Sequence, residues 1–360
     1  MAGNGEGCTD HIVIDVDDGK ICKKCIFKVP MLLRKQNSDA YTPHVVSIGP
    51  FHHQGKGGKD EGKTGNKEEF QLVERVKKSY LNEILSRMDM TLIELTAKVT
   101  ELSDEKKEGG FKVRARDLYA EPLDHISSED LVEMMIVDGC FLIQLFRKCN
   151  DSKLRAFDDP VFNMDCMFHF LCHDLLLLEN QLPWFVIHKL YGLTHDLYPV
   201  EPSLSILILK AFTMIPSLKQ SCATYNMHLH KIKRHCDADV LHILDLVRAS
   251  VVIPMRNIDE RARGAVTRDA IFDPDCHQMH TVTALSEAGI IFIPVIKESL
   301  LDIRFEERVA TNGVLKIPQL NIGMSSETLF RNLIAIEQCY HVYSNEITSY
   351  VILMDNLISS

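Results

Sequence analysis

With 360 residues, 46% of them hydrophobic and 25% charged, the chain has the length for one large domain or two ordinary ones and the balance of a buried core under a solvated surface. That apolar content excludes a wholly disordered chain. A formal charge of −10 argues against a general nucleic-acid binder, whose affinity for phosphates comes mainly from clustered Lys and Arg.

In chain order, residues 1–25 read as a flexible leader. MAGNGEGCTDHIVIDVDDGK lacks a basic start followed by a long apolar core, so it is not a signal peptide. From Ile26 to His53 turn formers dominate: Pro30, Pro43 and Pro50 oppose a continuous helix, and Val45–Ile48 is expected to form a short strand. QGKGGKDEGKTGNK follows, a low-complexity Gly/Lys-rich loop at 54–67. Phe70, Val73, Val76, Tyr80, Leu81, Ile84, Leu85 and Met88 then recur at spacings of three and four, which predicts a helix with one apolar stripe. Residues 103–116, charged and Gly-containing, read as a loop.

Ser127 or Ser128 ahead of Glu129 and Asp130 is an N-cap with acid in the first turn. The segment that follows, LVEMMIVDGCFLIQLF, is apolar on most faces and predicts a helix central to the core. A second such helix is expected from about Met164 to Asn180. Pro183 sets a boundary, and WFVIHKLYG opens a further helix stopped at Gly192. The apolar run LSILILKAFTMI, Leu204 to Ile215, carries Lys210 and falls short of the roughly 18–20 residues that span a bilayer, so no membrane crossing is expected. Val240–Ala249 predicts a shorter helix, and Thr281–Ala288 another, closed by Gly289. IIFIPVI, LLDIRF and GVLKIPQLNI predict short strands, and Ser326–Ser360 returns to helix. The sum is a mainly α fold, an α-dominated α+β arrangement with a helical core and a few short β-strands, without internal repeats.

Eleven cysteines, an odd number, are scattered from Cys8 to Cys339. Cys140 and Cys172 lie in apolar stretches, where a thiol behaves as a small buried hydrophobe, and reducing cytosol is the simplest compartment. The triplet Asn150-Asp151-Ser152 matches a glycosylation sequon and matters only in a secreted chain.

The sharpest motif is a Walker A match at 57–64, in which Gly57, Gly62, Lys63 and Thr64 stand at the positions that cradle phosphates, reach the β/γ-phosphates and hold Mg²⁺. Met134-Met135-Ile136-Val137-Asp138 could pose as its Walker B strand. The context opposes both: a P-loop follows directly on a buried strand, whereas Pro50 and the His52-His53 pair intervene here, and strand and helix do not alternate along the chain. Cys22-x-x-Cys25 is one pair without a second at zinc-finger spacing. His228, His230, His235 and Cys236 form a cluster, but Lys231, Lys233 and Arg234 oppose a cation there, and a solvated basic segment is the plainer reading. Cys276, His277 and His280 form another. His169, Cys172 and His173 share a helix face, as core side chains sooner than ligands. Glu179, after four leucines, is either a general acid with a raised pKa or, with Asn180 and Gln181, a group that satisfies backbone at a junction between buried helices; the second is favoured, since no partnered nucleophile or base stands nearby.

One ordered set of phrases is distinctive: IFKVPMLLRKQNSDAYTPHVVSIGPFHH (26–53), MIVDGCFLIQLF (135–146), DLLLLENQLPWFVI (174–187), LHILDLVR (241–248), TALSEAGIIF (283–292), LLDIRF (300–305), and GVLKIPQLNI with TLFRNLIAIEQC (313–339). In this order they resemble the plant family called domain of unknown function 247, from about Ile26 to the C-terminus. The resemblance implies a land-plant protein of unknown biochemistry, in a family whose typical members end in a transmembrane helix and some of whose grass members are linked to pollen-side self-incompatibility. It brings no catalytic residue, cofactor or metal. Pro30, Gly49, Pro50, Asp138, Gly139, Glu179, Asn180, Gln181, Pro183 and Glu337, which recur in the family, read as turns, junctions and core polar contacts. Against that pattern the Gly/Lys loop looks like a private insertion, and the ending TSYVILMDNLISS looks short of the family's anchor. The expected organisation is therefore a leader and a single family domain over 26–360.

The expected function is a non-enzymatic interaction or signalling protein with an unidentified protein partner, its charged stretches 54–67 and 103–116 being candidate contact surfaces. The expected location is cytoplasmic, or peripheral at the plasma membrane if this chain follows its anchored relatives. The alternative is a nucleotide-binding enzyme using Lys63 and Thr64.

Overall fold

A computed structural model describes residues 24–53, 67–101, 110–164, 166–198, 201–222, 240–262, 280–297, 299–308, 311–340 and 342–359. The expected leader, apart from Lys24 and Cys25, lies outside these residues, as does the Gly/Lys loop apart from Lys67.

The organising element is helix α5 (Ser128–Asn150). It starts where expected: the Ser127 hydroxyl accepts the Asp130 N–H at 3.0 Å, with Glu129 and Asp130 in the first turn. Nearly every side chain from Leu131 to Lys148 is buried, because other helices surround it. These are α2 (Lys67–Met88), α3 (Leu92–Glu101), α4 (Gly110–Asp117), α8 (Trp184–Thr194) and α9 (Leu204–Phe212). The α2 stripe is inward as predicted, with Val73, Val76, Tyr80, Leu81, Ile84 and Leu85 buried. At Gly139 the α5 backbone meets α8 so closely that a Cβ would stand 2.5 Å from the Leu190 Cδ1.

The remaining elements complete the shell. Helices α1 (Met31–Gln36), α6 (Pro160–Asn163) and α7 (Met167–Leu175) are short. The long α10 (Ile243–Ala262) contains Pro254, and α11 (Val282–Glu287) is capped by the Thr281 hydroxyl and followed by Gly289 at φ +89°. Three strands, β1 (Ile290–Val295), β2 (Arg304–Arg308) and β3 (Thr311–Pro318), form a sheet in the order β1-β3-β2, with β1 parallel and β2 antiparallel to β3. Helices α12 (Ser326–Cys339) and α13 (Glu346–Ile358) follow. The apolar core draws on side chains from Cys25 to Tyr350, while Val314 and Leu315 are buried within the sheet, outside that core. The fold is α-dominated α+β, as expected. Among the described residues no helix is long and apolar enough to cross a membrane.

Local expectations fail in instructive places. Residues 110–117 are helix α4 and not loop, because Phe111 and Ala115 are buried one turn apart, and Arg116 donates to the carbonyls of Leu123 and Ile126 at 2.5 and 2.7 Å. The helix expected over Met164–Asn180 runs only from Met167 to Leu175. Side-chain amides stop it: Gln181 takes the Leu175 and Leu177 carbonyls at 2.9 and 2.8 Å, and Asn180 takes that of Asp174 at 2.9 Å. Helix α8 passes through Gly192 to Thr194, and the helix expected at Val240–Ala249 starts at Ile243 and continues past Pro254 to Ala262. Val45–Ile48 forms no strand. Met134–Asp138, the would-be Walker B strand, lies inside α5.

Candidate functional site

Among the described residues, buried polar chemistry concentrates at the seam where the irregular stretch 26–53 lies over the junction between α7 and α8. Backbone N–H groups there need acceptors, since burial without them costs free energy. The acceptors are side chains. Asp174, in the last turn of α7, accepts the His44 N–H at 2.8 Å through Oδ1, and those of Val45 and Val46 at 2.7 and 2.9 Å through Oδ2. Asn180 accepts the Ile48 N–H at 2.6 Å and donates to the Val46 carbonyl at 3.1 Å. Asp138, on α5, accepts the Gly49 N–H at 2.8 Å. This explains the absent strand: the extended backbone finds its partners one side chain at a time. Asn332 of α12 extends the seam, accepting the Leu178 N–H at 2.9 Å and donating to the Ala40 carbonyl at 2.8 Å.

Gly49 has φ +70°, and a Cβ there would stand 2.8 Å from the Gln181 carbonyl oxygen, so the turn requires glycine. Beneath it Asp138 Oδ1 pairs with the Lys77 ammonium at 2.7 Å; Lys77 also meets Glu74 at 2.7 Å and donates to the Ser47 carbonyl at 2.5 Å. Burial works against the Lys77 charge, but Asp138 and Glu74 outweigh it and raise its proton affinity. Lys77 therefore stays an ammonium ion. A sequence signal existed: it lies four residues after Val73 and three before Tyr80, on the apolar stripe.

Glu179 accepts the Val29 N–H and an Arg34 Nη2–H, each at 2.6 Å, through Oε1, and His52 Nε2 stands 3.4 Å from Oε2. Burial pushes its carboxyl up, yet His52, the Val29 N–H and Arg34 together bring it below the ordinary glutamate range. A raised general acid is the opposite of what is found, and Glu179, Asn180 and Gln181 satisfy backbone groups as the alternative expectation held.

His44, His173 and Asp174 are the one group among the described residues whose ligand atoms lie close enough to suggest a metal, within 4.8 Å of one another. Their arrangement fits a metal poorly. The two imidazoles stack with centroids 4.2 Å and planes 19° apart, so their in-plane lone pairs run side by side and do not converge. Asp174 Oδ1 already faces His173 Nδ1 at 2.9 Å as well as the His44 N–H. Burial, then the neighbouring His173, lowers the His44 pKa, which favours a neutral ring. Of the other face-sharing residues, Cys172 is buried and His169 exposed.

A second buried network joins α10, α12 and α13. The Glu337 carboxylate on α12 accepts the Ile347 and Thr348 N–H groups at 3.1 and 2.9 Å, capping α13 from another helix. Arg248 of α10 holds Glu337 at 3.0 Å and Glu346 at 2.9 Å. The remaining motif residues fall outside the described residues: Gly57, Gly62, Lys63 and Thr64 of the Walker match, Cys22, the cluster His228, His230, His235 and Cys236, and Cys276 with His277. His280 is described and exposed.

Residues 26–360 match the family DUF247, described as "Plant protein of unknown function". The UPF0481 protein At3g47200 of Arabidopsis thaliana is 26% identical over 357 residues, 93% of this chain but 65% of that protein. A second Arabidopsis thaliana UPF0481 protein, At3g02645, is 27% identical over 164 residues, 46% of this chain and 26% of its own length. No solved structure matches. The residues of the seam, from Gly49 and Asp138 to Glu179-Asn180-Gln181, and Glu337 of the second network lie within the matched range, and the chain belongs to this plant family of unknown function, DUF247.

Proposed function

We propose that this chain works by binding a protein partner, as a non-enzymatic interaction or signalling component. The observation that carries the proposal is how its interior acids are used. Asp138, Asp174, Glu179 and Glu337 each commit their oxygens to backbone N–H groups, and three of the four also hold a cation. Glu179, brought below the ordinary glutamate range by its donors, is a poor carrier of a proton through a reaction cycle, and a carboxylate pinned by several donors is a good peg for a rigid frame. The link between some grass members of the family and self-incompatibility supports recognition as the use of that frame. Of the two stretches expected as contact surfaces, 54–67 lies outside the described residues apart from Lys67, and of 103–116 the part 103–109 lies outside them too, while 110–116 belongs to α4, which exposes Lys112 and Arg114. The cytosol is the proposed compartment, with a peripheral place at the plasma membrane as the alternative; buried thiols such as Cys140 and Cys172 suit reducing conditions.

The test is a titration of the full chain with labelled ATP and Mg²⁺ beside proximity labelling in plant cells. A reproducible set of labelled neighbours without saturable ATP binding is expected. Saturable binding that is lost in Lys63→Ala would overturn the proposal in favour of a nucleotide-dependent enzyme.

A further inference from the structure

Strand β2 is an edge: among the described residues it pairs with β3 alone, and Arg304, Phe305, Glu307 and Arg308 are exposed. Charges on an edge ordinarily repel further strands. Here their order does the reverse for one particular partner. When an edge pairs antiparallel with a twofold-related copy of itself, the residue on the axis faces its own copy, and the residue before it faces the residue after it. With Phe305 on the axis, Arg304 of each copy faces Glu306 of the other, giving two opposite-charge pairs on one face of the sheet. Symmetric registers centred on Arg304, Glu306 or Glu307 each set like charges face to face.

The other face agrees. Phe292, Leu315 and Phe305 are cross-strand partners through β1, β3 and β2, so their side chains form one apolar row. Phe305 is 50% exposed at the end of that row, its ring over Gly313. A copy paired at Phe305 continues the row across the axis into a six-stranded sheet. Arg304 and Glu306 already have intrachain partners, Asp302 and Lys316, but a guanidinium and a carboxylate each serve more than one group.

We propose that β2 is a self-association edge whose occupant is a second copy of this chain, paired antiparallel about Phe305. The irregularity between Glu306 and Arg308 limits the regular ladder, so the contact buries far less than the roughly 1,200 Å² of a stable interface and the dimer is reversible. This deepens the interaction proposal by naming one partner. It shares no residue with the nucleotide test, so either can fail alone.

Sedimentation velocity of the full chain across a concentration series tests it, with circular dichroism to verify folding. Wild type is expected to self-associate reversibly. Arg304→Glu should weaken association about tenfold or more by opposing like charges, and the swap Arg304→Glu/Glu306→Arg should restore it to within about threefold. Phe305→Lys, which puts two ammonium groups on the axis, should abolish it whether or not the charge variants fold. A wild-type chain that stays monomeric throughout, a charge swap as weak as the single variant, or undiminished association in Phe305→Lys would each overturn the proposal.

Discussion

Replacing Asp174 by alanine removes the acceptor of three consecutive backbone N–H groups, His44, Val45 and Val46, held at 2.7 to 2.9 Å. Those of Val45 and Val46 are buried, and a hydrogen bond to a charged acceptor contributes about 1.5–3 kcal/mol while an orphaned buried donor costs a similar amount. Counting about 2 kcal/mol for each of these two, and little for the more accessible His44 N–H, gives a loss of about 4 kcal/mol. That is a large part of the about 5–15 kcal/mol that holds a typical folded domain together. Asp174→Asn keeps one acceptor oxygen and should lose about half as much. Urea unfolding followed by fluorescence of Trp184, the single tryptophan, measures the change, and hydrogen exchange reports the amides of residues 44–46 directly. A loss below about 1 kcal/mol in Asp174→Ala with those amides still protected would refute the assignment, since the backbone would then have other acceptors.

Four further outcomes follow from the same contacts. Because Glu179 ionises below the ordinary glutamate range when folded, its contribution is complete above that range and is lost as pH falls through the ordinary value toward the folded one; Glu179→Gln should flatten that limb of the stability–pH curve, and an unchanged limb would contradict the contacts. Gly49→Ala should cost about 2–4 kcal/mol, from positive φ and the close Gln181 carbonyl, whereas Gly110→Ala, at φ +61° with nothing within 4 Å of its Cβ, should cost only about 1–2 kcal/mol in denaturant melts. Gly139→Ala should destabilise by about 1–3 kcal/mol through Leu190, and Leu190→Ala in the same chain should show a favourable coupling in a double-mutant cycle. Glu337→Ala should speed amide exchange at Ile347 and Thr348 ahead of global unfolding, whereas uniform exchange along α13 would deny Glu337 its capping role.

Much of the helical frame was readable from local pattern. The α2 stripe, the Ser127 cap, the all-round apolar α5 and the Thr281 start with its Gly289 stop each depend on residues within a few positions of one another, and each formed as expected. Two of the failures have different causes. The residues that leave Val45–Ile48 without a strand act across 128 to 134 positions for Asp174 and Asn180, and 89 for Asp138 with Gly49, whereas α7 is ended by Asn180 and Gln181 from only four to six positions beyond the carbonyls they take. Periodicity registers an apolar run after Met164 but not the side-chain amides that cap its carbonyls from beyond the helix end. The role of Lys77 is not legible locally, because a lysine on an apolar stripe makes sense only when its counter-ion, Asp138, is known to lie on the facing helix.

By itself, the sequence determined the class of fold, the core helices and, through an ordered set of phrases, the family. Those rest on composition and on short-range spacing, which determine which face of a segment must leave water. Only the tertiary structure decided what Asp138, Asp174, Glu179 and Glu337 do. A carboxylate after an apolar run has the same local sequence whether it will carry a proton or peg a backbone. Its pKa and its role come from the donors that folding brings to it, and for Glu179 those donors are Val29, Arg34 and His52, more than 120 residues upstream.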